Sequence, residues 1–86
     1  MTDQLRRDQF TQAQFLSVQT DLKEHHRVVL AAAFSGDSQQ TIADNLKLPV
    51  GTVKTRAMRG LRQMKKLLDR KAASALERMA AEDARQ

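Results

Sequence analysis

Residues 38–68 read SQQTIADNLKLPVGTVKTRAMRGLRQMKKLL, and this stretch decides the fold. Asp37 and Ser38 are residues of the kind that cap a helix N-terminus by accepting backbone hydrogen bonds. They predict a short helix over residues 39–46, with Ile42, Ala43 and Leu46 as its buried stripe. Lys47-Leu48-Pro49 breaks that helix. Proline suits the first turn of the next one, where its missing N–H costs nothing, so a further helix begins at Pro49 or Val50. Two helices joined by a short turn, the second one basic, make a helix-turn-helix arrangement.

The last helix sorts its residues by face. Projected at about 100° per residue, Val53, Ala57, Gly60, Met64, Leu67 and Leu68 cluster on one side. Thr55, Met58, Arg59, Arg62, Lys65 and Lys66 cluster on the other, with Lys54 at the edge. The first set is expected to pack on the preceding helices, with Gly60 permitting a close approach. The second set points outward, and only an outward basic face can enter a major groove. Met58 among the cations reads equally as a plain exposed methionine or as an apolar contact for a thymine methyl.

Upstream, a first helix is expected over residues 3–21, with Leu5, Phe15, Val18 and Leu22 spaced by three or four. A second is expected over residues 23–34, presenting Val28, Val29, Ala32 and Ala33, with Gly36 as its stop. Phe10, Phe15, Val18 and Leu22 read as core. Gly is limited to three positions, Pro to one, and good helix formers dominate the rest. The expectation is an all-α protein: one domain over residues 1–86, a helix-turn-helix of four to five helices with a long basic last helix.

The 86 residues allow one modest core. With no cysteine there is neither disulfide nor thiolate metal site. No apolar run approaches the roughly 18 residues of a membrane span, and no secretory signal is visible, so a soluble intracellular protein is expected. Charge is concentrated: residues 1–36 balance, residues 37–46 carry −2, residues 47–71 carry +8 and residues 72–86 carry −1. A localised basic stripe is the footprint of a phosphate-contacting surface, whereas a merely solvated face mixes signs.

The same stretch resembles region 4, the C-terminal promoter-recognition domain of bacterial sigma factors, most like the extracytoplasmic-function type. The resemblance rests on Phe34 to Gly36, Ser38, Thr41-Ile42-Ala43, Leu46, and Gly51-Thr52-Val53-Lys54-Thr55-Arg56 with the basic tail that follows. It covers about residues 22–68. It implies that the start of the last helix reads the −35 promoter element, with Lys54, Thr55, Met58 and Arg59 facing bases. Arg56, Arg62, Lys65 and Lys66 then grip phosphates, joined by backbone amides near Ser38, Gln39 and Gln40. Such contacts fix register while base contacts specify. The implied partners are double-stranded promoter DNA, the flap region of RNA polymerase, held by the first two helices, and an anti-sigma-like protein. The implied location is the bacterial cytoplasm, at the nucleoid.

Thr41 stands where the family has a glutamate that completes a capping box with Ser38, and Lys47 stands where the turn often has glycine. From Leu61 the apolar positions continue as Met64, Leu68, Ala72, Ala75 and Met79, close to a heptad repeat. Residues 72–86 therefore extend the last helix, fold back as a fifth, bind a partner, or fray as an alanine-rich tail. Two other functions remain open: a dimeric response-regulator-type helix-turn-helix, and a sigma-like module that works mainly through protein contacts. RNA binding is disfavoured, because no stacking aromatic lies near the basic face. His25 and His26 are adjacent, so on a helix they diverge and do not chelate one metal; a surface or boundary role is expected. No catalytic triad, paired carboxylates or phosphate loop is visible, so neither enzyme activity nor a cofactor is expected.

Overall fold

The computed structural model describes residues 10–84. Four α-helices follow one another: α1 (Gln12–Val18), α2 (Glu24–Phe34), α3 (Gln39–Leu46) and α4 (Val50–Ala84), with a 3₁₀ turn at Gln19–Asp21. No strand occurs among the described residues. The extents of 56 × 26 × 18 Å reflect α4, whose 35 residues form one continuous rod. Of the fates open to the C-terminal segment, its described residues take the first: α4 continues to Ala84.

Local chemistry sets the helix ends. Thr11 Oγ1 accepts from Gln14 N–H at 3.1 Å, and Gln14 Oε1 accepts from Thr11 N–H at 2.8 Å, a reciprocal capping box that starts α1 at Gln12. The expected first helix is corrected here: Phe10 and Thr11 lie outside it, because the Thr-x-x-Gln signature satisfies its first amides. The part expected over residues 3–9, with Leu5, lies outside the described residues. At the end of α2, Gly36 turns left-handed at φ 102°. Gly36 N–H then donates to Ala33 O and Asp37 N–H to Ala32 O, both at 3.1 Å, the Schellman pattern that glycine permits.

The core joins all four helices: Phe15 and Val18 from α1, Val29 and Leu30 from α2, Ile42 and Ala43 from α3, and Val53, Ala57, Leu61 and Met64 from α4, with Leu22 from the connection. Phe10 is half-buried against it. The rings of Phe15 and Phe34 stack with centroids 5.3 Å apart, tying α1 to α2. The expected face of α2 is corrected. His26, Val29 and Leu30 are buried, Ala32 and Ala33 are half-buried, and Val28 is 40% exposed. The working stripe is 26-29-30-33, an i, i+3, i+4, i+7 set that accepts a histidine among apolar neighbours.

Gly60 sits where α2 and α4 come closest. A Cβ there would lie 2.8 Å from Leu30 Cδ1 and 3.2 Å from His26 Cβ, so the absent side chain is what lets the helices approach.

Candidate nucleic-acid interface

The candidate surface is built by α3, the turn after it and the first turns of α4. Ser38 Oγ caps α3 by accepting from Thr41 N–H at 3.1 Å. The same hydroxyl donates to Thr41 Oγ1 at 2.9 Å, so Thr41 takes a share in the cap that a longer carboxylate side chain would otherwise hold. Lys47 closes α3 in the left-handed region, at φ 58° and ψ 45°, a conformation that costs a residue with a Cβ and suits glycine. Leu48 N–H reaches back to Ala43 O at 3.0 Å. Pro49 O then accepts from Thr52 and Val53 N–H at 3.0 and 3.2 Å, which launches α4 at Val50.

From that start α4 buries Val53, Ala57, Gly60, Leu61 and Met64 against the other helices. Its opposite side exposes Thr55, Met58, Arg59, Arg62, Lys65 and Lys66. Met58 is 43% exposed, an apolar side chain standing among cations. Thr55 is followed three and four residues on by Met58 and Arg59, and these by Arg62 and then Lys66, so the five form one outward strip. The other expected residues are less directly presented: Lys54 and Arg56 are half-buried at its margins. Lys65 pairs with Asp69 at 3.0 Å in an exposed i, i+4 bridge, which partly neutralises its charge. Ser38 and Gln40 are exposed and Gln39 is half-buried. The Gln40 side chain donates to Asp44 Oδ1 at 2.9 Å, so its carboxamide already has a partner within α3.

The histidines diverge in environment. His26, expected at a surface or boundary, is corrected to a buried residue, held by a 2.9 Å bond between its Nδ1 and Gln63 Oε1. His25 is exposed, with its ring edge-on to His26 at a centroid distance of 4.3 Å. Desolvation first, then the positive charge of His26, Arg56, Lys23 and Arg59, holds the His25 imidazole below its ordinary range. Among the described residues no three His, Asp or Glu side chains are placed to hold a metal ion. No helix among them is long and apolar enough to cross a membrane.

A second set of cations is not evident from the sequence. Lys23, Arg70, Lys71 and Arg78 line one groove together with Arg59, Arg62 and Lys66. The i, i+4 recurrence of 62, 66 and 70 is legible in the sequence; the approach of Lys23 to them is not. Compared with known protein families, curated proteins and solved structures, the chain matches none.

Proposed function

We propose that this chain is a sigma region 4-like helix-turn-helix module that recognises promoter DNA together with RNA polymerase, by binding rather than catalysis. The observation that supports this most directly is the outward strip of Thr55, Met58 and Arg59, continued by Arg62 and Lys66, on the side of α4 opposite its buried face. In this reading Arg59 donates to guanine O6 and N7, Thr55 and Met58 adapt to base edges and thymine methyls, and Arg62 and Lys66 hold phosphates. Lys54 reads at the strip's edge, and Arg56 takes a phosphate beside it. The backbone near Ser38, Gln39 and Gln40 contributes a further phosphate contact at the start of α3. The place of action is the nucleoid in a bacterial cytoplasm.

One such module buries a small interface, so its own affinity is weak and falls steeply with salt. Tethering to polymerase supplies the effective concentration it lacks. Selection from a random duplex library at about 150 mM salt, with and without core RNA polymerase, tests this reading. The expected result is one short enriched motif, strengthened by polymerase and lost in Arg59→Ala. No enriched motif under either condition removes the DNA-reading role.

A dimeric response-regulator-type module is the second reading, supported by Leu76 and Met79, which are 66% and 61% exposed on the free part of α4. Sedimentation separates the two: a monomer favours the sigma-like reading and a dimer the regulator.

A further inference from the structure

We propose that the groove along the flank of α4 binds an acidic polypeptide segment, which shares Arg59, Arg62 and Lys66 with the proposed duplex contacts and extends beyond them through Arg70 and Arg78. The groove is open, encloses about 980 Å³ and runs between α4 and the chain that joins α1 to α2. Arg59, Arg62, Lys66, Arg70 and Arg78 line it from α4, and Lys23 faces them from the foot of α2. Asp21 is the single carboxylate among its lining residues. Lys71 is tied into the fold, its Nζ donating to Ser17 O. The five α4 cations are different: no carboxylate of the described residues lies within ion-pair distance of any of them.

So many like charges against the single carboxylate of Asp21 leave a positive potential that an anion relieves. Three features define the anion. First, Arg62, Lys66 and Arg70 recur every four residues, a ladder with rungs about 6 Å apart. A helical segment with carboxylates at i, i+4 and i+8 repeats at the same interval. Second, Leu67 lines the groove beside the cations, so the groove also offers contact to apolar side chains of a polypeptide. Third, the alternatives fit poorly. Arg70 lies about 22 Å and Arg78 about 35 Å along the axis from Thr55, so a duplex whose major groove is about 8.5 Å deep does not reach them while α4 enters it tip first. Single strands are held by base stacking on aromatic faces. The one ring here is His26, which is buried and bonded to Gln63.

That Arg70 and Arg78 lie outside the duplex contacts rests on the DNA reading above; the binding of acidic polypeptide does not. Fluorescence anisotropy of the full chain tests it with three probes: a labelled helical peptide of about 15 residues with Glu at every fourth position, a labelled oligothymidylate of similar length, and unlabelled tripolyphosphate as competitor. The peptide is expected to bind and to lose affinity about tenfold in Arg70→Ala/Arg78→Ala, the loss expected from two exposed charge pairs. Charge reversal, Arg70→Glu/Arg78→Glu, abolishes binding, and both variants keep the helical circular dichroism of the parent because these side chains are exposed.

Equal peptide affinity in parent and double variant overturns the proposal. So does an oligothymidylate that binds more tightly than the peptide and is the probe the variant weakens. Displacement by tripolyphosphate at equal charge overturns it too, leaving only unspecific attraction. Duplex binding by Arg70→Ala/Arg78→Ala stays at the parental level. A parent that binds the peptide and no duplex removes the DNA reading and leaves the groove standing.

Discussion

The side-chain oxygen of Gln63 lies 2.9 Å from Nδ1 of His26, 37 residues earlier, and also accepts the backbone N–H of Lys23 at 3.2 Å. The Lys23 amide can only donate, which fixes the oxygen of the carboxamide toward both partners. His26 Nδ1 therefore carries the proton and donates. One oxygen of α4 thus holds the first turn of α2 at two points. Gln63→Ala strands both donors and is expected to cost about 1–2 kcal/mol in denaturant unfolding. Gln63→Glu keeps an acceptor in place and retains most of that stability. Equal losses in the two variants would contradict this role.

Gly60 faces Leu30, and the two substitutions are coupled. Gly60→Ala gains helix propensity of up to about 1 kcal/mol but forces a Cβ against Leu30, at an overpacking cost of about 1–3 kcal/mol. The expected net is a destabilisation of about 1 kcal/mol. In a Leu30→Ala background the closest obstruction is gone and only the 3.2 Å approach of His26 Cβ remains, so the same Gly60→Ala change turns toward stabilisation. A double-mutant cycle by urea unfolding reads the change of sign.

Lys47 holds a left-handed backbone that glycine adopts freely. Lys47→Gly relieves about 1–2 kcal/mol of strain and gives back about 0.5–1 kcal/mol to the more flexible unfolded chain. The melting temperature is expected to rise by a few degrees. Lys47→Val moves it in the opposite direction, because a β-branched side chain tolerates this conformation least.

Stability is expected to fall as pH drops below about 6.5, the ordinary histidine value. His25 is held below that value in the fold, so the unfolded chain binds its proton first and acid favours unfolding. The contribution is whole above the unfolded value and is lost as pH falls through the folded one. His25→Gln removes it, which thermal melts between pH 7.5 and 5 detect as a shallower pH dependence. An identical slope in parent and variant would assign the effect elsewhere.

In the proposed function Arg62 and Lys66 hold phosphates, so their loss is expected to act on duplexes of any sequence alike. Each Ala variant is expected to reduce the slope of log affinity against log salt by about 0.9. Arg59→Ala differs: it relaxes base preference as well as lowering affinity, by about 1–3 kcal/mol at one position of the site. Binding isotherms at several salt concentrations, on selected and scrambled duplexes, separate the two effects.

Much of the fold was written locally. The stop of α2 at Gly36, the span of α3 and the start of α4 after Pro49 each depend on backbone groups within a few residues, and the sequence alone determined them. The Thr11–Gln14 box is equally local, though the longer apolar pattern running through it masks the signal. The inward side of α4, with Gly60 on it, followed from periodicity, as did the outward set from Thr55 to Lys66.

The tertiary structure decided what depends on a neighbour far along the chain. Val28 and Leu30 are both apolar, yet Leu30 is buried and Val28 is not, because Gly60 lets α4 approach at Leu30. His26 enters the core because Gln63 supplies its acceptor, a pairing no local pattern contains. Lys47 accepts a left-handed backbone because α3 and α4 bury Ile42, Ala43 and Val53 on either side of it, and that burial outweighs the strain. The flank groove likewise exists only because the foot of α2 brings Lys23 opposite Arg59 and Arg62. Sequence fixes hydrogen bonds and faces of short range; packing decides which of several apolar or charged residues meet, since that energy is shared between segments the local pattern cannot see together.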